Sequence, residues 1–217
     1  MGRLLLIDAL AAFALAGAWY VFFTRYNRRR GVQALHWLEA ACLGEGRILD
    51  ARWFGPSRLE ARLRFATRWF EHARVTVNLF PRPIPYQWLL SVCRKQKETL
   101  TFEADLDYVP GFSLEVFRHR WFTHQPENLE QGSRSWVVSR PGPVVFTTRP
   151  QWTHELPPVV NTFAASRGHS LLRVKFRSES PHLAATVAFE ALSDDRLAAS
   201  FLNVLRDLAA DASTSRQ

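Results

Sequence analysis

The sequence predicts an α+β protein in which a single N-terminal transmembrane helix is followed by antiparallel sheets with helices packed on one face. Three observations predict this fold class. Residues 4–23 form an apolar run with one charge, and four arginines follow it closely. Beyond residue 31, segments with alternating apolar and polar side chains recur, as expected for strands with one buried face. Segments with helical spacing, bounded by glycine or proline, lie between those strands.

The apolar run LLLIDALAAFALAGAWYVFF is long enough to cross a membrane. At about 1.5 Å per residue it extends roughly 30 Å, the thickness of one hydrocarbon core. Trp19, Tyr20 and Tyr26 lie where an aromatic belt is expected. The alternative is a cleaved signal peptide, because the small residues 16–18 resemble a cleavage site.

The distribution of arginine around the run predicts its orientation. Arg25, Arg28, Arg29 and Arg30 follow the run, whereas only Arg3 precedes it. Lysine and arginine near a span stay on the cytoplasmic side. We therefore expect a single-pass protein of the cell (inner) membrane, with its N-terminus outside and its soluble domain in the cytoplasm. The four arginines that follow the run are also candidates to bind lipid headgroups.

The basic net charge is partly a topology signal. The chain has 28 basic and 20 acidic side chains, a net charge of +8. Residues 1–30 contain five basic side chains and one acidic one, so +4 of that excess belongs to the anchor and +4 to the remainder. No zinc-finger, helix-turn-helix or RNP-like pattern is present, and nucleic acid is therefore not an expected partner.

Along the chain, the pattern predicts a helix over 32–43 and then a hairpin of 47–54 and 58–65 around a Gly-Pro turn. A strand (73–80), a helix (86–95) and a hairpin (99–106 with 112–118) follow. A second strand (144–148), helix (154–166) and hairpin (171–177 with 183–192) repeat that order, and Ser193 caps a last helix. The repetition suggests a duplicated α-β-β-β unit.

These elements suggest four segments. Residues 1–30 are the transmembrane anchor with its basic exit, and 31–122 are a first α+β subdomain. Residues 123–135 form a polar loop, and 136–217 are a second α+β subdomain with the C-terminal helix.

One group of residues could support an enzymatic site. His119 and His124 are near an acidic strand that includes Asp105, and such groups bind metals or exchange protons. The simpler interpretation is that the carboxylates of this strand form cross-strand ion pairs with a basic strand. The candidate partners on that basic strand are Arg173, Lys175 and Arg177.

No motif specifies a reaction, and we expect no cofactor and no metal. Cys42 and Cys93 lack metal or redox spacing, which favours two ordinary buried thiols. The sequence therefore predicts a non-enzymatic interaction or accessory subunit that binds membrane lipids and a membrane or cytoplasmic protein partner. There are two alternatives: a domain that binds lipid or a small apolar ligand, and an enzyme. An unfilled apolar cavity between the sheet and the helices would indicate the ligand-binding alternative.

The apolar run itself contains a candidate interface. Asp8, Ala12 and Ala16 recur every four residues and therefore share one helix face. Alanines allow another helix to approach closely, and a polar group on the same face can hydrogen-bond to it. A shallow Asp8 that reaches the outer headgroups is the alternative, because it is only about 6 Å from the start of the run.

Overall fold

The computed structural model describes residues 2–42, 44–66, 69–118, 137–139, 144–148, 157–165, 171–193 and 195–214. The helices are α1 (Gly2–Cys42), α2 (Pro85–Cys93), α3 (Pro157–Ala165) and α4 (Asp195–Thr214), with a 3₁₀ turn at Phe189–Ser193. The strands are β1 (Gly46–Phe54), β2 (Arg58–Phe65), β3 (Phe70–Asn78), β4 (Thr99–Leu106), β5 (Leu114–Arg118), β6 (Val137–Ser139), β7 (Val144–Thr148), β8 (Leu171–Phe176) and β9 (Leu183–Ala188).

The nine described strands form one antiparallel sheet in the order β1-β2-β3-β4-β9-β8-β5-β7-β6. Apolar side chains alternate toward one face, and α1, α3 and α4 pack on that face. For example, Val75 of β3 lies opposite Phe102 of β4, which lies opposite Ala185 of β9. This arrangement confirms the predicted α+β class with an antiparallel sheet that follows an apolar N-terminal helix.

Two predicted hairpins are confirmed and one is wrong. β1 pairs with β2, and β8 pairs with β9. The strands expected to form the third hairpin, β4 and β5, do not pair with each other, because the β8–β9 hairpin lies between them in the sheet. Alternation of side chains determines which face of a strand is buried, but it leaves the neighbouring strand undetermined.

Strands from both predicted subdomains therefore share one sheet, since β4 pairs with β9 and β5 pairs with β8. The order strand, helix, strand, strand does occur twice along the chain, as β3-α2-β4-β5 and β7-α3-β8-β9. The pairing differs between the two copies: β3 pairs with β4, whereas β5 separates β7 from β8. The proposed boundary at 123–135 lies outside the described residues.

The core lies between the sheet and the helices. Phe201 of α4 is buried between Trp37 of α1 and Phe102 of β4, with ring centroids 5.3 Å and 6.3 Å away. Val159 and Phe163 of α3 join the same apolar cluster. The second half of α1 is thus a core helix of the domain.

The sequence pattern suggests a span over 4–23 and a separate helix over 32–43, but the structure joins them in one continuous helix, α1. Its first half projects from the domain with its described side chains exposed up to Ala18. Its second half buries residues at a spacing of three and four, the helical period, and these are Asn27, Gly31, Ala34, Leu38 and Ala41. The four arginines therefore lie on a helix that continues into the domain core.

Candidate functional site: the junction between the apolar helix and the sheet

A buried polar cluster lies where α1 enters the sheet domain. Asn27 is completely buried, with 0% of its surface exposed. Its Nδ2 donates to the carbonyl oxygens of Pro56, at 3.0 Å, and Phe80, at 2.9 Å. Its Oδ1 accepts from Nη1 of Arg82 at 3.2 Å. One side chain thereby ties α1 to the β1–β2 turn and to the segment that precedes α2.

Glu98 provides the negative charge of this cluster. Its Oε1 lies 2.5 Å from Nη1 of Arg82 and accepts the backbone N–H of Phe80 at 2.9 Å. Its Oε2 lies 3.1 Å from Nη1 of Arg30 on α1. A carboxylate this buried needs such partners, because an unpaired buried charge costs several kcal/mol. We call Asn27, Arg30, Arg82 and Glu98 the junction cluster.

Aromatic rings extend the junction toward the apolar half of α1. The Trp88 ring of α2 lies 6.1 Å from Trp19 and 6.2 Å from Phe23, both on α1. Trp19 Nε1 donates to the carbonyl oxygen of Arg82 at 3.1 Å, and the Arg82 guanidinium lies 5.0 Å from the Tyr26 ring centroid. The domain therefore contacts the last turns of the apolar run and not only the basic segment after it.

The sequence PRPIP at 81–85 explains why this segment can receive α1. A proline lacks the N–H group, and the residue before it is disfavoured in the helical region. The chain between β3 and α2 is thus held out of a helix until Pro85, which occupies the first helical turn. Two of its carbonyl groups, those of Phe80 and Arg82, accept side-chain donors from α1.

The structure divides the four predicted lipid-binding arginines into two pairs. Arg30 pairs with Glu98 and also lies 4.3 Å from the ring centroid of Phe189, and Arg28 lies 5.3 Å from that of Trp53. Arg25 and Arg29 are exposed and form no ion pair within the part of the chain that the structure describes. Arg28 and Arg30 thus have contacts within the protein, whereas Arg25 and Arg29 face outward.

Asp8, Ala12 and Ala16 are all exposed on the projecting half of α1. Their spacing of four places them on one side of the helix. α1 is long and apolar enough to cross a membrane, although a signal sequence near the N-terminus meets the same criteria of length and composition. The role of these three residues as an interface stays a prediction.

The predicted catalytic alternative is only partly covered by the structure. His119 and His124 lie outside the described residues. Asp105 lies beside His72, with Oδ2 3.4 Å from its Nδ1, at a bulge where His72 has a φ of 47°. Among the described residues, no group of three His, Cys, Asp or Glu side chains could hold a metal ion.

The basic strand pairs with a different acid from the one predicted. Arg173 and Lys175 of β8 both contact Oε1 of Glu115 on the neighbouring β5, with Lys175 Nζ at 2.9 Å. They cannot reach the acidic strand β4 in the same way, because β9 lies between β4 and β8. Burial lowers the pKa of Lys175 below its ordinary value, and Glu115 opposes that shift.

Two further predictions can be compared with the structure. Cys42 is buried as expected, but Cys93 is exposed at the end of α2, so the prediction of two buried thiols is wrong for Cys93. A cleft of about 260 Å³ lies beside the start of β1, where Arg47, Arg64 and Glu45 line it. Gly44, Gly46, Phe65 and Ala66 complete the lining, so the cleft has both charged and apolar walls.

The sequence matches no protein-family model and no curated protein. Function is therefore inferred from the junction itself. Sequence reasoning missed Asn27 and Glu98 as members of this site. A single Asn inside an aromatic and basic helical segment was the available signal, since a polar amide there requires partners if it is buried.

Proposed function

We propose that the chain is a single-pass anchored protein of the inner membrane, with the N-terminus outside and the sheet domain in the cytoplasm. There it acts as a non-enzymatic interaction or accessory subunit. The observation that carries this proposal is the continuity of α1 from its apolar half into the domain core, fixed by Asn27. A flexible tether keeps a domain near the membrane, whereas a helix fixed in this way also sets the orientation of the domain.

The contacts of Trp19 favour a retained anchor over a cleaved signal peptide. Cleavage after Ala18 would leave a charged amino group on Trp19, whose ring packs against Phe23 and Trp88. Cleavage would also require translocation of the basic segment that follows, which is disfavoured. Retention keeps both the apolar half of α1 and its rigid connection to the domain.

An accessory role is further supported by the face of α1 that contains Asp8, Ala12 and Ala16. A carboxylate at membrane depth costs a few kcal/mol unless it reaches water or a partner. The two alanines on its face permit close approach of a second helix, which offers Asp8 a hydrogen-bond partner. The anchor then serves as an assembly surface as well as an attachment.

The test compares Asp8→Leu and Ala12→Leu with a matched control, Ala14→Leu, which places the same side chain on the opposite face of α1. Association is measured by a membrane two-hybrid assay and by co-purification from mild detergent with mass spectrometry. We expect the first two variants to lose transmembrane partners that wild type and Ala14→Leu retain. Unchanged association in all variants would reject this face as the assembly surface.

A further inference from the structure

We infer that α2 and its flanking residues form a second membrane contact, in which the outward face of α2 lies in the interfacial region of the cytoplasmic leaflet beside α1. This inference rests on the proposed anchoring of α1. Three independent observations on α2 support it: the exposure of its apolar side chains, its position against α1 and the charge of its flanks.

The outward face of α2 is apolar, the reverse of an ordinary surface helix. Tyr86 is 75% exposed and Leu89 61% exposed, whereas the inward Ser91 is buried. Nine large apolar side chains are exposed in the described residues beyond α1, and five of them fall within 84–92. These five are Ile84, Tyr86, Leu89, Leu90 and Val92. Exposed apolar side chains concentrated in this way mark an interaction site.

The position of α2 selects the bilayer as the occupant of this face. Trp88 packs on Trp19 and Phe23, which belong to the last turns of the apolar run. Trp19 lies about 6 Å before the end of that run by the helical rise. A membrane that encloses residues 4–23 therefore reaches the level of Trp88, and α2 meets its surface.

The charges around α2 fit an anionic lipid surface. Residues 81–97 contain no acidic side chain, and Arg94, Lys95 and Lys97 follow α2 in an exposed segment. On α1, Arg25 and Arg29 are also exposed, and they follow Phe23, whose ring contacts Trp88 of α2. An apolar helix face with flanking lysine and arginine is the pattern of interfacial helices, which sink roughly 5–10 Å into the headgroup and acyl boundary.

The experiment uses the full chain in vesicles of phosphatidylcholine and phosphatidylglycerol. An environment-sensitive fluorophore is attached to Leu89→Cys in a Cys93→Ser background. The control is Leu49→Cys in the same background, because Leu49 is 54% exposed but lies in β1, several residues along the strand from the junction. Lipids with a doxyl quencher high on the acyl chain report direct lipid contact.

We expect the probe at position 89 to emit at shorter wavelength and to be quenched by the doxyl lipids, while the probe at position 49 behaves as in water. Water-like, unquenched emission at position 89 would overturn the inference. A wavelength shift without doxyl quenching would also overturn it, because a protein and not lipid would then cover α2.

Alkaline carbonate extraction of the same vesicles separates the inference from the proposed anchoring. Protein that stays in the membrane with an unquenched probe contradicts only the α2 contact. Protein released by carbonate contradicts the anchoring itself.

Discussion

At the scale of the residue, Asn27 shows how a polar side chain can specify a junction. A buried amide is costly unless its donors and acceptor are used, and here both donors reach carbonyl groups and the acceptor meets Arg82. An apolar side chain at this position would bury surface, but it would lose the hydrogen bonds to the carbonyl groups of Pro56 and Phe80 and the acceptor for Arg82. Because these hydrogen bonds need aligned partners, Asn27 fixes the orientation of α1 against the domain as well as stabilising the contact.

We expect Asn27→Ala to lower the free energy of unfolding by roughly 1–3 kcal/mol, because the hydrogen bonds of Asn27 to two carbonyl groups and to Arg82 are lost. Thermal unfolding in detergent measures the effect. Gln33→Ala is the control, since Gln33 is exposed on the same helix. Equal melting temperatures for the two variants would show that the Asn27 hydrogen bonds do not stabilise the junction.

Tyr108 gives the fold a dependence on alkaline pH. Its hydroxyl donates to the carbonyl oxygen of Ala209 in α4. Burial, and secondarily the charge of Asp107, raise the pKa of Tyr108 above its ordinary value of 10.0. The folded state thus holds the proton more tightly than the unfolded chain, so the stabilisation is complete below pH 10.0 and is lost as pH rises above it.

We therefore expect Tyr108→Phe to cost about 1 kcal/mol at pH 8 and to weaken the loss of stability above pH 10. Urea unfolding at pH 8 and at a series of pH values above 10, compared with wild type, measures both effects. An identical pH profile for the two proteins would contradict the assignment to Tyr108.

At the scale of the element, α1 is one helix whose two halves have different surroundings. The described side chains of its first half are exposed up to Ala18, and its second half packs in the core. The packing depends on Gly31, where a Cβ atom would lie 2.5 Å from the Trp53 ring and 3.1 Å from Leu59. Glycine at this position allows α1 to lie close to the hairpin of β1 and β2.

We expect Gly31→Val to destabilise the domain by about 1–3 kcal/mol through overpacking against Trp53 and Leu59. Gly17→Val is the matched control, because the space around Gly17 is empty to 4 Å. Unfolding in detergent, monitored by tryptophan fluorescence, compares the two. Equal stability would mean that α1 shifts away from the hairpin at little cost.

At the scale of the whole molecule, the junction cluster and α2 set how the sheet domain sits relative to the apolar half of α1. The arginines on α1 predict the side of the membrane on which the domain lies. Two positions can report this orientation: Gly2 at the start of α1, and Glu179 in the exposed turn between β8 and β9.

We expect Glu179→Cys, in the turn between β8 and β9, to resist a membrane-impermeant thiol reagent in intact cells. Gly2→Cys, at the other end of α1, should react under the same conditions. Both variants are made in a Cys93→Ser background, because Cys93 is exposed. Ready labelling of Glu179→Cys from outside would reverse the proposed orientation.

The sequence by itself determined the features that depend on neighbouring residues. The apolar run with its arginines, the alternating faces of β2, and the hairpins β1–β2 and β8–β9 all follow from local patterns. Each of these features requires only the side chains of one segment or of two segments joined by a short turn.

Only the tertiary structure decided which distant segments meet. It placed β8 and β9 between β4 and β5, joined the two halves of α1 and brought Glu98 to Arg30 and Arg82. It also exposed the apolar face of α2 beside Trp19. These contacts depend on how all the apolar faces share one core, because strand pairing and buried polar partners are satisfied only when the whole fold closes.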